Sequence, residues 1–569
     1  MEAALRDIDG AGYGAYKRIR GSWRGPDFTL HVDHVQGDPF ATPSRLRLHL
    51  SPQAHGIPDE VWRPDGETPG PAPRRTGLCD FLLRTFGDAC RGLPRVGGSG
   101  KSGLVLVSAE TPVVVDRSGC EIGPGGLTLR FRAGLPARGR RCMGQAAAKM
   151  LTRNIPQALE AVRRGNLDQN RAMRWVETSE DHHFIQAELS GRGLVAFVRD
   201  GSVLPRRSGV SSAPLPHAVP FRSPPELSVT FNPPNSGAIV GMGVPRGVTV
   251  VTGGGFHGKT TLLEALQGGV WPRTPGDGRE WVATVPDAVK VRSEDGRAVS
   301  GVDLTPFVDG LPLGQSTKSF STPDASGSTS LAADILEAME ARASALLMDE
   351  DTCATNLMVR DARMQALVPR ETVTPLIDRA RELAEAGVSI ILVTGGSGDY
   401  LDVADTVLVL EDFLPRLATA EAKTIAANTP TGRRTGLPHR PLRVPPAGRV
   451  PAATSFGARR RSGREKVRAR GSDEITLGNQ VLDLSAVEQL ADPGQARAVA
   501  AMLRAMAGHC DGKRTLWDVT RRVYEQALRS GLVSVDDSPD LALPRPQEML
   551  RAASRLRSLR VQPGSNRSP

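Results

Sequence analysis

Aromatic residues are scarce in this chain: Phe, Trp and Tyr together make up 4% of its 569 residues. The six tryptophans, Trp23, Trp62, Trp175, Trp271, Trp281 and Trp517, are dispersed and read as packing residues. Long apolar runs are also missing. The longest candidate, Val388 to Val393, falls far short of the ~18–20 residues of a spanning helix, so no membrane insertion is expected. The opening MEAALRDIDG has no charged-then-apolar signal pattern, and a cytoplasmic location is the expectation. The six cysteines lie far apart with no C-x-x-C pair, which argues against a zinc site or a redox dithiol. No 20–50-residue repeat is visible.

What is there is the composition of a soluble globular protein, 39% hydrophobic and 24% charged, with abundant Gly and Pro. The net charge of +10 is concentrated. Residues 431–470 hold twelve Arg or Lys against a single acid, Glu465, and the rest of the chain is close to neutral. The length predicts several domains. Residues 1–165 read as a mixed α/β N-terminal domain with strands such as Phe28–Val32 and Leu104–Val107, closing on a helix near Gly144 to Arg164. Residues 166–425 alternate strand-like and helix-like segments, the pattern of a parallel-rich α/β core. Residues 426–470, rich in Pro, Gly and Arg without apolar periodicity, read as a basic linker. Residues 471–562 carry helical spacing and predict a small, mainly helical C-terminal domain.

One segment carries chemistry directly. The apolar Val248–Val251 runs into Gly253, Gly254, Gly255, Phe256, His257, Gly258, Lys259, Thr260 and Thr261, followed by the helical Leu262–Leu266. This is G-x-x-x-x-G-K-T between a strand and a helix. Glycines let backbone amides curl around phosphate oxygens, and the helix start adds positive potential. Lys259 is expected to reach the β- and γ-phosphates of ATP, and Thr260 to place its hydroxyl on Mg²⁺. A second glycine stretch, Gly97 to Ser102, ends in G-K-S, but Arg95 stands where its first glycine should be. A strand rather than a helix follows it, so it reads as a surface turn with a nucleic-acid contact open to Lys101.

Ninety residues after Lys259, the apolar Ala345–Met348 ends in Asp349 and Glu350. In this Walker B pattern Asp349 would hold Mg²⁺ and Glu350 would act as general base toward water. Ser326-Gly327-Ser328-Thr329-Ser330 precedes it and opens a helix over Leu331 to Arg342. A small-residue turn at that place is the layout of the ABC signature, with the Ser-Gly pair of L-S-G-G-Q kept. Ser326, Gly327 and Ser328 would then receive the γ-phosphate held by another protomer. Asp351 to Asn356 resembles the stretch that crosses the dimer interface in that class. Gly395 stands where transporter-type members carry a switch histidine, with Thr394 or Ser397 as weak substitutes. Glu294 or Asp295 falls about where the Q-loop glutamine is expected.

Further stretches carry a closer likeness. They are Gly12–Lys17, Asp33–Phe40 with Pro43–Arg45, Gly134–Arg141, Asp324–Ser330, Asp349–Thr352, Gly395–Tyr400 and Leu484–Leu490. On these the chain resembles the "predicted ATPase of the ABC class" family over about residues 5–560. The resemblance implies an ABC-type P-loop core flanked by family-specific domains, a homodimer, and association with RNA in at least part of the family.

The functional expectation is an ATP hydrolase working as a head-to-tail homodimer around two Mg·ATP, its closure coupled to nucleic acid, with RNA as the partner. Candidate nucleic-acid contacts are Arg138, Arg140 and Arg141 and, in the linker, Arg459, Arg460 and Arg461. Phe456 is the only aromatic in that linker, so stacking on bases is not expected there. Two other readings stand beside this one: an ATPase subunit energising a membrane transporter, and an ATP-gated binding protein with little turnover. His182-His183 beside Glu180 and Asp181 invites a metal reading, but on a strand such neighbours point to opposite faces.

Overall fold

The computed structural model describes residues 1–63, 72–312, 314–434, 442–457 and 467–563. They form two compact units: Met1–Glu180 with Ala527–Leu543, and Asp181–Gln526 with Pro544–Pro569.

The first unit is built on an antiparallel sheet. Its strands run in the order Gly21–Arg24, Phe28–His34, Ser44–Leu50, Gly126–Ala133 and Val105–Leu106, with Cys120–Gly123 also paired to Gly126–Ala133. Ser44–Leu50 (SRLRLHL) alternates buried and half-buried positions, the period-2 signature of a sheet with one face on a core. The helix Pro73–Arg91 buries Leu78, Leu82 and Phe86 in that core, Phe86 meeting Phe131 edge-on at 5.5 Å. The helix expected near Gly144 to Arg164 is interrupted. Gly144–Lys149 passes into a π-turn over Met150–Asn154 before Ile155–Leu159 resumes α geometry. Pro156 has no N–H for the ordinary i−4 bond, and the wider turn lies where that bond would fall.

The second unit contains two sheets and a C-terminal segment. An antiparallel sheet orders Ser228–Phe231, Ile239–Pro245, Leu194–Arg199 and Val282–Thr284. The other sheet is the core. Its elements are β1 (Val248–Gly253), α1 (Lys259–Gly268), β2 (Val289–Lys290), α2 (Gly327–Glu340), β3 (Ala345–Asp349), β4 (Ser389–Val393), β5 (Thr406–Glu411) and β6 (Leu414–Leu417). The strand order is β2-β3-β4-β1-β5-β6. All neighbours are parallel except the final hairpin β5–β6. β3 and β4 are buried throughout, as apolar runs without alternation require of parallel strands covered on both faces.

Two expectations change. His182 and His183 lie in the helix Gln169–Gly191, not on a strand. His182 is buried with Nε2 3.2 Å from the Val282 carbonyl oxygen, and burial pushes its pKa down to about 3. The segment 426–470 is not uniformly a linker among its described residues. Arg449–Pro451 pairs with Val561–Pro563, and Arg449 is buried with Nε donating to Glu340 Oε2 at 2.8 Å. Arg433 is likewise sequestered, Nη2 donating to Asp378 Oδ1 at 2.8 Å. The C-terminal segment is mainly helical as expected, at Pro493–Met506, Leu516–Ser530 and α3 (Pro546–Ser554), and a three-stranded sheet precedes these helices: Val467–Arg470, Glu474–Leu477 and Gln480–Asp483. Among the described residues no helix is long and apolar enough to cross a membrane.

One buried charge joins the signature helix to the C-terminus. Asp334 of α2 is fully buried and accepts from Arg551 Nη2 (2.8 Å), Arg555 Nη2 (3.2 Å) and the Arg292 backbone amide (3.2 Å). Burial alone would raise its carboxyl, but the two guanidiniums outweigh it and hold the group well below the ordinary 3.8. A folded-state value depressed in this way contributes stability above about pH 4, lost as pH falls through the lowered value. Asp334→Ala leaves Arg551 buried without its main partner. It should cost about 3–5 kcal/mol in urea unfolding at pH 7, with a smaller deficit near pH 2–3; an equal deficit at both pH values would contradict the assignment.

Candidate functional site

Because β4 lies between β1 and β3, the carboxyl ends of all three strands open side by side. The glycine loop leaves β1, the loop 394–397 leaves β4, and Asp349–Glu350 closes β3. The register pairs Val251 and Asp349 each with Val393, so the next residues leave the sheet together.

The glycine loop is conformationally demanding. Gly253 has φ +142°, and a Cβ there would meet the Leu410 carbonyl oxygen at 2.4 Å. Gly258 at φ +92° is the left-handed residue from which α1 starts. Gly254 and Gly255 are exposed, and Phe256 stands fully exposed at φ +63°. His257 Nδ1 accepts from the Asp412 amide at 2.8 Å, fixing the loop against the β5–β6 turn. Lys259 Nζ donates to the carbonyl oxygens of Gly253 and Gly254, each at 2.7 Å, so its ammonium lies along the loop. Thr260 is exposed at the helix start, with Thr261 half-buried behind it, while Leu262, Leu263 and Leu266 anchor α1 in the core.

Opposite stand the acids. Asp349 is buried, which raises its pKa, and Oδ1 accepts the Asp351 amide at 3.2 Å. Glu350 Oε2 accepts from the Thr394 hydroxyl and from the amides of Gly395 (3.1 Å) and Gly396 (3.2 Å). A Cβ built on Gly395 would lie 3.9 Å from Lys259 Cε, and one on Gly396 3.7 Å from Glu350 Oε1. The glycine pair therefore bridges the lysine and the glutamate.

Ser326, Gly327 and Ser328 occupy a different place. Ser326 precedes α2 and is exposed; its Oγ lies 3.1 Å from Thr329 Oγ1. Ser328 Oγ donates to Asn356 Oδ1 at 2.6 Å. A Cβ on Gly327 would lie 3.1 Å from Asp295 Oδ1. Glu294 does not reach toward the acids: its carboxylate is taken by Arg555, with Nε at 3.1 Å from Oε2.

An apolar cleft beside the glycine loop was not foreseen from the sequence. Its lining joins the stretch Leu204 to Phe221 with Leu410 and Phe413 and with Gly258, Thr261 and Leu262 at the start of α1. These residues are scattered along the chain with no common spacing. The two chain turns Asp412 and Phe413, both at positive φ, are the local features that deliver the Phe413 ring.

In the first unit, Arg138 and Arg140 are exposed on the hairpin of Ala137–Arg138 with Arg141–Cys142, and Arg141 Nη1 donates to the Gly10 carbonyl at 3.1 Å. Gly97–Ser102 is indeed a turn leading to a strand, and it is knitted to this hairpin. The Ser99 amide donates to the Ala137 carbonyl (2.7 Å), and the Gly139 amide to Ser99 Oγ (2.8 Å). The Lys101 amide donates to the Pro39 carbonyl at 2.8 Å, bringing in Phe40, which is 64% exposed. A basic surface with an adjoining aromatic ring results, whereas the sequence offered no such pairing. Arg459, Arg460 and Arg461 lie outside the described residues.

Comparison with known proteins follows the same division. The family description "ATPase of the ABC class N-terminal" matches residues 1–166, the ABC ATPase P-loop domain residues 168–444, and the MRB1590 C-terminal domain residues 466–562. The chain is similar to "Uncharacterized protein MJ1628" of Methanocaldococcus jannaschii, 28% identical over 239 residues, covering 40% of this chain and 53% of that one. It thus spans about half the length of the curated relative it matches. Among solved structures it is similar to the ADP conformation of MJ1267, an ATP-binding cassette of an ABC transporter (11% identity, TM-score 0.26, 42% of this chain and 96% of that chain). It is also similar to cbiO1 from Clostridium perfringens, part of the ABC transporter complex cbiONQ (14% identity, TM-score 0.24, 42% and 96%). With a P-loop core carrying both acids and the three matches in this order along nearly its whole length, the chain belongs to the ABC-class ATPase family.

Proposed function

We propose that this chain hydrolyses ATP in a head-to-tail homodimer and couples the closure of that dimer to binding nucleic acid, with RNA as the partner. The observation that carries the reading is the convergence of Lys259, Asp349 and Glu350 at adjoining strand ends, bridged by the 394–396 loop. The triphosphate occupies the amides of Gly253 to Thr261, with Lys259 moving from its own loop carbonyls onto phosphate oxygens. Thr260 and Asp349 supply the hydroxyl and carboxylate oxygens that suit Mg²⁺, a hard cation that neutralises phosphate charge when bound. Water attacks the γ-phosphorus, Glu350 takes its proton, and the bond from that phosphorus to the bridging oxygen of ADP breaks. The exposed Ser326, with Gly327 and Ser328, serves the γ-phosphate of the partner subunit, and none of their hydrogen bonds goes to their own glycine loop. ATP closes the dimer, and hydrolysis with product release reopens it.

The apolar cleft at Phe221 and Phe413 has a volume of only about 10 Å³, so the base is proposed to sit at its mouth, against the half-exposed Phe413 and Val219. The cleft's only polar side chain is that of Thr261, so it offers dispersion and little hydrogen-bond discrimination. The surface of Phe40, Lys101, Arg138 and Arg140 supports the nucleic-acid part of the reading, joining free cations to a ring on which a base can stack. Arg459, Arg460 and Arg461 are proposed to extend it.

In an ATPase assay Glu350→Gln should lower kcat by at least about 100-fold, and Lys259→Ala should abolish nucleotide binding. Equal rates in wild type and both variants would remove the catalytic assignment. Phe413→Ala should raise KM for ATP and for GTP by a similar factor with kcat retained; a loss confined to one nucleotide would argue against an apolar base site. Replacing Arg138 and Arg140 by Ala should weaken single-stranded RNA binding and flatten its dependence on log salt by about 1–2 units of slope. Phe40→Ala should cost about 1–3 kcal/mol with that slope unchanged. Binding insensitive to both changes would remove this surface from the reading.

A further inference from the structure

The base in an ATP hydrolase has to be held in register with the phosphate loop, and here no imidazole is among the hydrogen-bond partners of Glu350. Three donors instead converge on one of its oxygens, Oε2. Among the described residues no hydrogen bond reaches Oε1, which leaves that oxygen as the proton acceptor. The carboxylate is thus anchored by one edge and open at the other.

Thr394 is placed for this by the sheet and not by chance loop geometry. It is the first residue beyond β4, the strand between β1 and β3, and only 3% of it is exposed. Its amide donates to the Val251 carbonyl of β1 at 3.0 Å, while its hydroxyl donates to Glu350 just beyond β3. One residue, through its backbone amide on one side and its hydroxyl on the other, therefore ties the glutamate to the strand that carries the phosphate loop. The hydroxyl's orientation is also fixed: Oγ1 accepts the Ser397 amide at 3.1 Å, so its single proton is directed at Glu350. The glycines complete the arrangement. A Cβ at 395 would lie 3.9 Å from Lys259 Cε, an ordinary contact, so the glycines act here through their backbone. An amide at 395 and another at 396 can then point at the carboxylate.

We propose that Thr394, with the Gly395 and Gly396 amides, is the positioning device for Glu350, doing with a hydroxyl and two backbone dipoles the work of a side chain at 395. The proposal rests on the ATPase reading above. It assigns Thr394 no contact with substrate. Its action runs wholly through the glutamate, and that sets it apart from a residue that merely closes a loop.

The test uses the full chain. Thr394→Val removes the hydroxyl with little change of shape, and Thr394→Ala serves in its place should valine impair folding. Steady-state kinetics should show kcat reduced about tenfold or more with KM for ATP within about twofold of wild type. Thr394→Ser should recover most of the loss. Combined with Glu350→Gln, the Thr394 change should add nothing, since two residues acting as one unit are not additive. A Thr394→Val enzyme as fast as wild type beside an inactive Glu350→Gln would overturn this inference and leave the ATPase reading standing. So would a full further loss in the double variant. Glu350→Gln as active as wild type would overturn both.

Discussion

A carboxylate sealed inside a protein must be matched by positive charge, and Asp334 imposes that demand on the helix that carries the signature serines. The partners that meet it come from far along the chain. Arg551 and Arg555 belong to the C-terminal segment, and the Arg292 amide belongs to the stretch that holds Glu294. Arg297 pairs with Glu337 one turn further along α2, and Arg449 with Glu340 beyond that. The signature helix is thus gripped along its length by guanidiniums. Ser326, exposed just ahead of its first turn, is positioned by contacts made on the helix's buried side, and the C-terminal segment acts as a structural member of the core.

The same economy shapes the site. A parallel sheet delivers three loops to one edge, and the strand order decides which loops meet. Backbone groups do most of the holding: Lys259 meets loop carbonyls, His257 the Asp412 amide, and Glu350 two loop amides beside the Thr394 hydroxyl. Few side chains need to be specified once the strands are in register.

That explains which parts were legible in the sequence. β1, the glycine loop and α1 are contiguous, so a strand, glycines and an apolar helix can be read in one pass, and the same is true of β3 with its two acids. The helix after Ser326 is equally local. What was not legible comes from residues without common spacing. The cleft at Phe221 and Phe413, the fate of Glu294 on Arg555, and the backbone bonds that bring Pro39 and Ala137 to the Gly97–Ser102 turn all depend on tertiary contacts. Composition misled at Arg449: a Pro- and Arg-rich stretch looks solvated, yet a short strand can carry its guanidinium into the interior when two glutamates await it. Pro156 likewise leaves a helical pattern in the sequence while altering its geometry.

Arg433 and Arg449 belong by position to the most cationic stretch of the chain, and both are withdrawn from solvent into ion pairs. The tally of charges is therefore not the charge that a polyanion meets. The net charge is unchanged by such pairing, but its distribution over the surface is not. Whatever polyanion such a surface meets, the attraction would be local, set by which arginines the fold has left outside and not by how many the gene encodes.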